Sequence, residues 1–200
     1  MAAPHQAVCL RRTLPVLLIV LAAAGPVASG QSPDPHPQSA SDRRIEALEA
    51  QLLHAPDPDH ADTVALRLAE ARMQALSPTT RLMIRRAQRE LTDNHAGDAL
   101  SDASEAIALE PERAILWRER ASIQGALGNS DEAVSDLGGA LSRDPADVES
   151  WAGLSVVAEK TGRYTQAVQA WQRVMQLSPM TRDGAARLRL LERKAAGDPT

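Results

Sequence analysis

Apolar and polar positions alternate along residues 42–195 with a period close to that of an α-helix, and the pattern breaks at regular intervals. Ile45, Leu48, Leu52 and Leu53 predict a helix over 42–54. Asp57-Pro58-Asp59 supplies a turn, and Val64, Leu68 and Leu76 predict a second helix over 63–76. From Pro78 onward the chain repeats itself. Prolines stand at 78, 111, 145 and 179, at steps of 33, 34 and 34 residues. A period in this range marks stacked helix pairs. The second half of each unit aligns without a gap. Ala99, Leu100, Ala103, Ala106 and Ile107 recur as Ala133, Val134, Leu137, Ala140 and Leu141, and again as Ala167, Val168, Trp171, Val174 and Met175. Offsets of 1, 4, 7 and 8 place each set on one helical stripe.

The first halves agree as well. Ala87, Ala121 and Ser155 are equivalent, and Met83, Trp117 and Trp151 precede them by four residues. Asn94, Gly128 and Gly162 fall between the halves, where a helix end calls for a left-handed residue. The prolines are expected as first helical residues, capped by Ser77, Asp144 and Ser178 and less well by Glu110. Small residues at the equivalent places predict close helix crossings. Ala121 and Ala133 should therefore reject a large side chain, whereas Ala55, in the turn, should accept one.

These residues resemble the tetratricopeptide repeat. The unit Trp117-Arg118-Glu119-Arg120-Ala121, Gly128, Asp131-Glu132-Ala133, Ala140 and Pro145 carries the likeness most fully. A second unit has Trp151, Gly162-Arg163-Tyr164, Ala167, Trp171 and Pro179. The unit from Thr80 departs further, with Met83 for the aromatic and Asn94 for the glycine. All three lack the usual aromatic late in the first helix, having Glu90, Gln124 and Ala158, and Val174 replaces a small residue. The resemblance implies an all-α fold, a right-handed α-solenoid. Its three repeats would span 80–113, 114–147 and 148–181. An N-terminal helix pair would precede them over 42–79, either a degenerate repeat or a separate element. A capping helix would follow over 182–195, with a short disordered tail over 196–200. Arg189, at the place of Ala121 and Ser155, is acceptable there only if no further helix packs on it. The Ser77-Pro78-Thr79 start also resembles that of small exported bacterial repeat proteins.

Composition changes the picture at the N-terminus. Arg11 and Arg12 precede an apolar run from Leu14 to Ala24, followed by Gly25-Pro26 and the small residues Val27-Ala28-Ser29-Gly30. That order is the signature of a secretory signal peptide over 1–30, cleaved before Gln31 or, second, before Gly30. Eleven apolar residues fall short of the roughly 20 that a spanning helix needs. A buried core helix or an uncleaved membrane anchor are the alternatives. Residues 31–41, with Pro33, Pro35 and Pro37, predict an extended, disordered linker. Cys9 would leave with the signal, so the mature chain lacks a thiol. This suits a periplasmic or otherwise extracytoplasmic location without stable membrane insertion.

Composition and motifs also narrow the function. A formal net charge of −4 offers no basic surplus for nucleic acid. His36, His54, His60 and His95 form no ligand cluster, so no metal site is expected, and no motif suggests a cofactor or a catalytic residue. The resemblance implies instead a scaffold or interaction module of the bacterial cell envelope. Its concave groove would be lined by Arg81, Ile84, Gln88, Arg118, Ser122, Ala152 and Val156. Arg81, Arg85 and Arg89, four residues apart, form a basic stripe near Arg118. This stripe is either a solvated face or a site for an acidic segment or free C-terminus. The other readings are a structural subunit of an envelope assembly and a glycan- or peptidoglycan-binding domain. The four aromatic rings of the chain, three Trp and one Tyr, are largely used by packing, which counts against the last.

Overall fold

In a computed structural model, residues 39–197 are described; the expected signal peptide, the linker before Ser39 and the last three residues lie outside them. The described residues form helices α1 (Ala40–Leu53), α2 (Pro58–Gln74), α3 (Pro78–Thr92), α4 (Ala96–Leu109), α5 (Ala114–Ala126), α6 (Ser130–Arg143), α7 (Val148–Lys160), α8 (Tyr164–Leu177) and α9 (Gly184–Ala195). Helix α1 starts inside the expected linker, where Ser39 and Asp42 form a reciprocal capping box.

The pairs α3–α4, α5–α6 and α7–α8 are the three repeats, and α9 packs on the last. Their small residues are where the sequence puts them. Ala87, Ala121 and Ser155 are buried, as are Ala99, Ala133 and Ala167. Helices approach closely at these places, so each unit shares its apolar stripe with the next. Ile115, Leu116 and Ile123 of α5 enter the core of the first unit, beside Ile84, Ala103 and Ile107. Asn94, Gly128 and Gly162 all have positive φ. In each case the following amide bonds the carbonyl five residues back, at 2.7–2.9 Å, so three units end their first helix with the same motif. Val174 is accommodated and buried, and Arg189 is exposed on α9.

Two expectations are corrected. Of the four repeat prolines, only Pro78 begins a helix, behind the Ser77 cap. Pro111, Pro145 and Pro179 instead occupy the second position of turns that close the preceding helices. Arg113, Asp147 and Thr181 donate their amides to the carbonyls of Glu110, Asp144 and Ser178 at 3.1–3.2 Å. The fixed φ of proline suits that position. Asp144 and Ser178 therefore cap the C-termini of α6 and α8 and are not N-caps. Ala55 is also buried, within the α1–α2 core, and would not accept a large side chain.

For α1 and α2 the sequence leaves two readings open, and the arrangement of the helices favours the separate element. This hairpin does not stack in front of α3 as a further repeat. It crosses the turns that follow α4, α6 and α8, and each turn holds it by charge. Asp42 pairs with Arg113 (2.9 Å), Arg72 with Asp144 (2.6 Å) and Asp147 (2.9 Å), and Asp59 and Asp62 with Arg182. Val148, at the start of α7, packs against its apolar core. Met73 and Leu76 join the hairpin to the core of the first unit.

Candidate partner-binding groove

The first helices of the three units, α3, α5 and α7, lie side by side and form one surface of the array. Between α5 and α7 that surface opens into a cleft of about 400 Å³. Gly153 keeps it open: a Cβ there would stand 3.1 Å from the Leu137 side chain, so α7 approaches α6 closely and no side chain fills the floor. Ser122 is exposed in the cleft, and Val156 is 52% exposed beside it. Glu119, Glu149 and Lys160 bring charges to the rim.

Arg118 stands at one end of the cleft with its charge already balanced. Its Nη1 donates to Asp147 Oδ1 and Oδ2 at 2.8 and 2.9 Å and pairs with Glu149 Oε2 at 2.6 Å. Burial pushes its pKa down, but the charges of Asp147 and Glu149 outweigh that and hold it above the usual arginine value. Asp147, fully buried, also accepts from Ser150 Oγ and from Arg72 of the hairpin. One carboxylate thus ties the groove to the hairpin. Around Arg72, Glu49 completes the cluster, and burial followed by the charge of Asp144 pushes its carboxyl pKa up.

The structure divides the sequence-derived groove residues. Arg118, Ser122 and Val156 line the cleft, and Ala152 lies half-buried on α7 nearby. Gln88 is exposed and donates to Glu119 across α3 and α5 at 2.8 Å. Ile84 is fully buried in the core and lines nothing. The basic stripe is not one surface of the groove. Arg81 donates to the carbonyls of Gln74 and Leu76 at 3.1 and 2.9 Å and so holds the end of α2. Arg85 and Arg89 are exposed further around α3. The sequence reading missed Glu149, Gly153 and Lys160. The repeat register could have found Glu149, which lies 68 residues beyond Arg81 at the same place in its unit.

Among the described residues no group of three or more His, Cys, Asp or Glu side chains is placed to hold a metal ion. None of the described helices is long and apolar enough to cross a membrane.

No protein-family profile matches the chain. A TPR repeat-containing protein of Rhizobium etli is similar to it, with 27% identity over 162 residues, 81% of this chain and 79% of that protein. Among solved structures, the first TPR domain of Spaghetti bound to an HSP90 peptide superposes with a TM-score of 0.56 at 17% identity, covering 60% of this chain and 95% of that one. The Sgt2 TPR domain from Aspergillus fumigatus also gives 0.56, at 20% identity, covering 61% and 82%. The MamA protein gives 0.54 at 12% identity over 79% of this chain and 84% of that one. At these identities the structural likeness concerns the fold.

Proposed function

Because the chain folds as an all-α tetratricopeptide-repeat solenoid, we propose that it is a non-enzymatic interaction module that holds a segment of a partner protein in the cleft between α5 and α7. The observation that carries this reading is the cleft itself. It presents the exposed apolar surface of Val156 beside the free hydroxyl of Ser122, within a rim of both charges. An extended segment could seat an apolar side chain on Val156 and place polar groups against Glu119 and Lys160. Solved structures of this fold that carry HSP90 or HSP70 peptides support a peptide as the ligand.

The groove chemistry favours a segment of mixed character over a strongly acidic one. Arg118 is neutralised by Asp147 and Glu149, so a partner carboxylate would have to displace Glu149, the more exposed of the two. Location belongs to the same proposal. The charged, apolar and small-residue order of residues 1–30 supports export through a Sec-type signal, and hence a role in the cell envelope.

Capture of partners from the envelope fraction by wild type and by Val156→Glu tests the reading. The variant places a charge on an exposed position, so the fold should survive. Loss of the captured protein with an unchanged melting temperature is the expected result. Equal capture by both would overturn the cleft as the binding site.

A further inference from the structure

The first unit differs from the other two in what lies in front of it. Four residues of α5 that reach back to the preceding unit mark the face in question. Leu116 and Ile123 are buried in the core of the first unit, Glu119 accepts from Gln88, and Arg120 donates to Ser104 of α4 at 3.3 Å. Their counterparts 34 residues earlier are Leu82, Arg89, Arg85 and Arg86. All four are exposed. Leu82 is 62% exposed where Leu116 is fully buried. On α3 these residues lie opposite the buried Thr80, Ile84 and Ala87, and no described helix covers them because the α1–α2 hairpin is engaged with the turns. Arg86 is paired with Asp102 and Glu90. Arg85 and Arg89 pair with no carboxylate among the described residues.

We propose that this face of α3 is a docking site for an acidic, alanine-rich amphipathic helix of a partner protein, which would extend the array by one helix. Two observations specify the occupant. The first is the helix that covers the equivalent face of α5. That helix is α4, whose buried stripe is Ala99, Ala103, Ala106 and Ile107 and whose sequence carries Asp98, Asp102 and Glu105 with no basic residue. The second is charge. Where α5 offers Glu119 and Ile123, α3 offers Arg85 and Arg89, so an added helix meets two extra cations and needs carboxylates opposite them. The same charge argues against head-to-tail stacking of the chain on itself. The other end of the array is α9, whose exposed residues include Arg189 and Arg193, and these would face Arg85 and Arg89.

The inference does not rest on the groove reading, and Val156→Glu should leave it unaffected. The probe is a stapled, labelled peptide with the sequence of residues 96–110, whose binding to the full chain is read by fluorescence anisotropy. Its counterpart carries Asp98→Lys and Glu105→Lys. The acidic peptide should bind and the reversed one should bind at least about tenfold more weakly, with the difference shrinking as salt rises. Leu82→Asp/Arg89→Glu should abolish binding at an unchanged melting temperature, and Gln169→Glu on α8 should not affect it. Equal binding of both peptides, or undiminished binding to the double variant, would overturn the proposal. So would a wild-type dimer in sedimentation that the double variant abolishes, since a second copy would then take the face. Acidic-peptide binding seen only after removal of residues 1–38 would overturn it too, because the chain would then cover its own site.

Discussion

Arg72 of α2 and Asp147 at the start of α7 form a buried ion pair, 2.9 Å between Nη1 and Oδ1, across 75 residues of sequence. Asp147 accepts from Arg118 on its other side, so the hairpin and the groove meet at one carboxylate. Neither arginine can be removed without exposing the other to a changed field. The hairpin therefore acts as a brace along the turns and fixes the end of the cleft where Arg118 stands.

Loss of Arg72 should be costly. Arg72→Ala leaves Glu49, Asp144 and Asp147 crowded without their shared cation, and breaking a buried pair from one side costs about 3–5 kcal/mol. Arg182 makes a comparable number of pairs with Asp59 and Asp62, but at the surface, where about 0–1 kcal/mol is expected. Denaturant melts of Arg72→Ala and Arg182→Ala check the contrast. Similar losses in the two would show that the buried cluster contributes no more than a surface pair.

Overpacking at the helix crossings gives a second expectation. Ala121→Trp and Ala133→Trp should each lose at least about 1–3 kcal/mol, since both alanines are buried between helices. Ala55 is buried as well and belongs with them. The tolerant control is Ala47, exposed on α1. Thermal melts of the four variants should separate Ala47→Trp from the rest.

Backbone handedness supplies the third. Gly162 has φ +73°, so Gly162→Ala should destabilise by about 1–2 kcal/mol through the steric cost of a Cβ in that region. Asn94 already holds φ 65°, and Asn94→Gly should be close to neutral. Calorimetry on the pair reads the difference directly.

The capping helix should respond to acid. Glu159 of α7 accepts from Lys194 at 2.9 Å and from Arg187, both on α9. The hydrogen bond from Lys194, and then that from Arg187, outweigh burial and hold the Glu159 carboxyl below its ordinary value near 4.5. A depressed folded pKa contributes stability that is present above the unfolded value and lost as pH falls through the folded one. Stability should thus decline below pH about 4.5, and Glu159→Gln should remove that part of the decline. An NMR titration of Glu159 with a midpoint at or above its ordinary value would contradict the arrangement.

Much of the architecture was legible because it is local or strictly periodic. The apolar stripe of Ala99, Ala103 and Ile107 and its two copies follow from the helical repeat alone. The left-handed positions at Asn94, Gly128 and Gly162 follow from residue type. The prolines misled because a proline that starts a helix and a proline in the turn ahead of it differ by only three to five residues, and both satisfy its fixed φ. Of the groove, Ser122 and Val156 could be read from the register, whereas the buried Ile84 could not be told from a groove residue without its neighbours.

The sequence by itself determined the helix period, the spacing of the units and the small residues that let helices touch within them, because each depends on residues within about one turn or one repeat of one another. Only the tertiary structure decided where the α1–α2 hairpin rests and which arginines keep their charge for a partner. Arg72 meets Asp147 across 75 residues and Arg182 meets Asp59 across 123, and no local pattern encodes such encounters. Four arginines of similar sequence setting accordingly have different ends. Arg81 holds a helix end and Arg118 is bound by two carboxylates, while Arg85 and Arg89 face outward on the open side of α3.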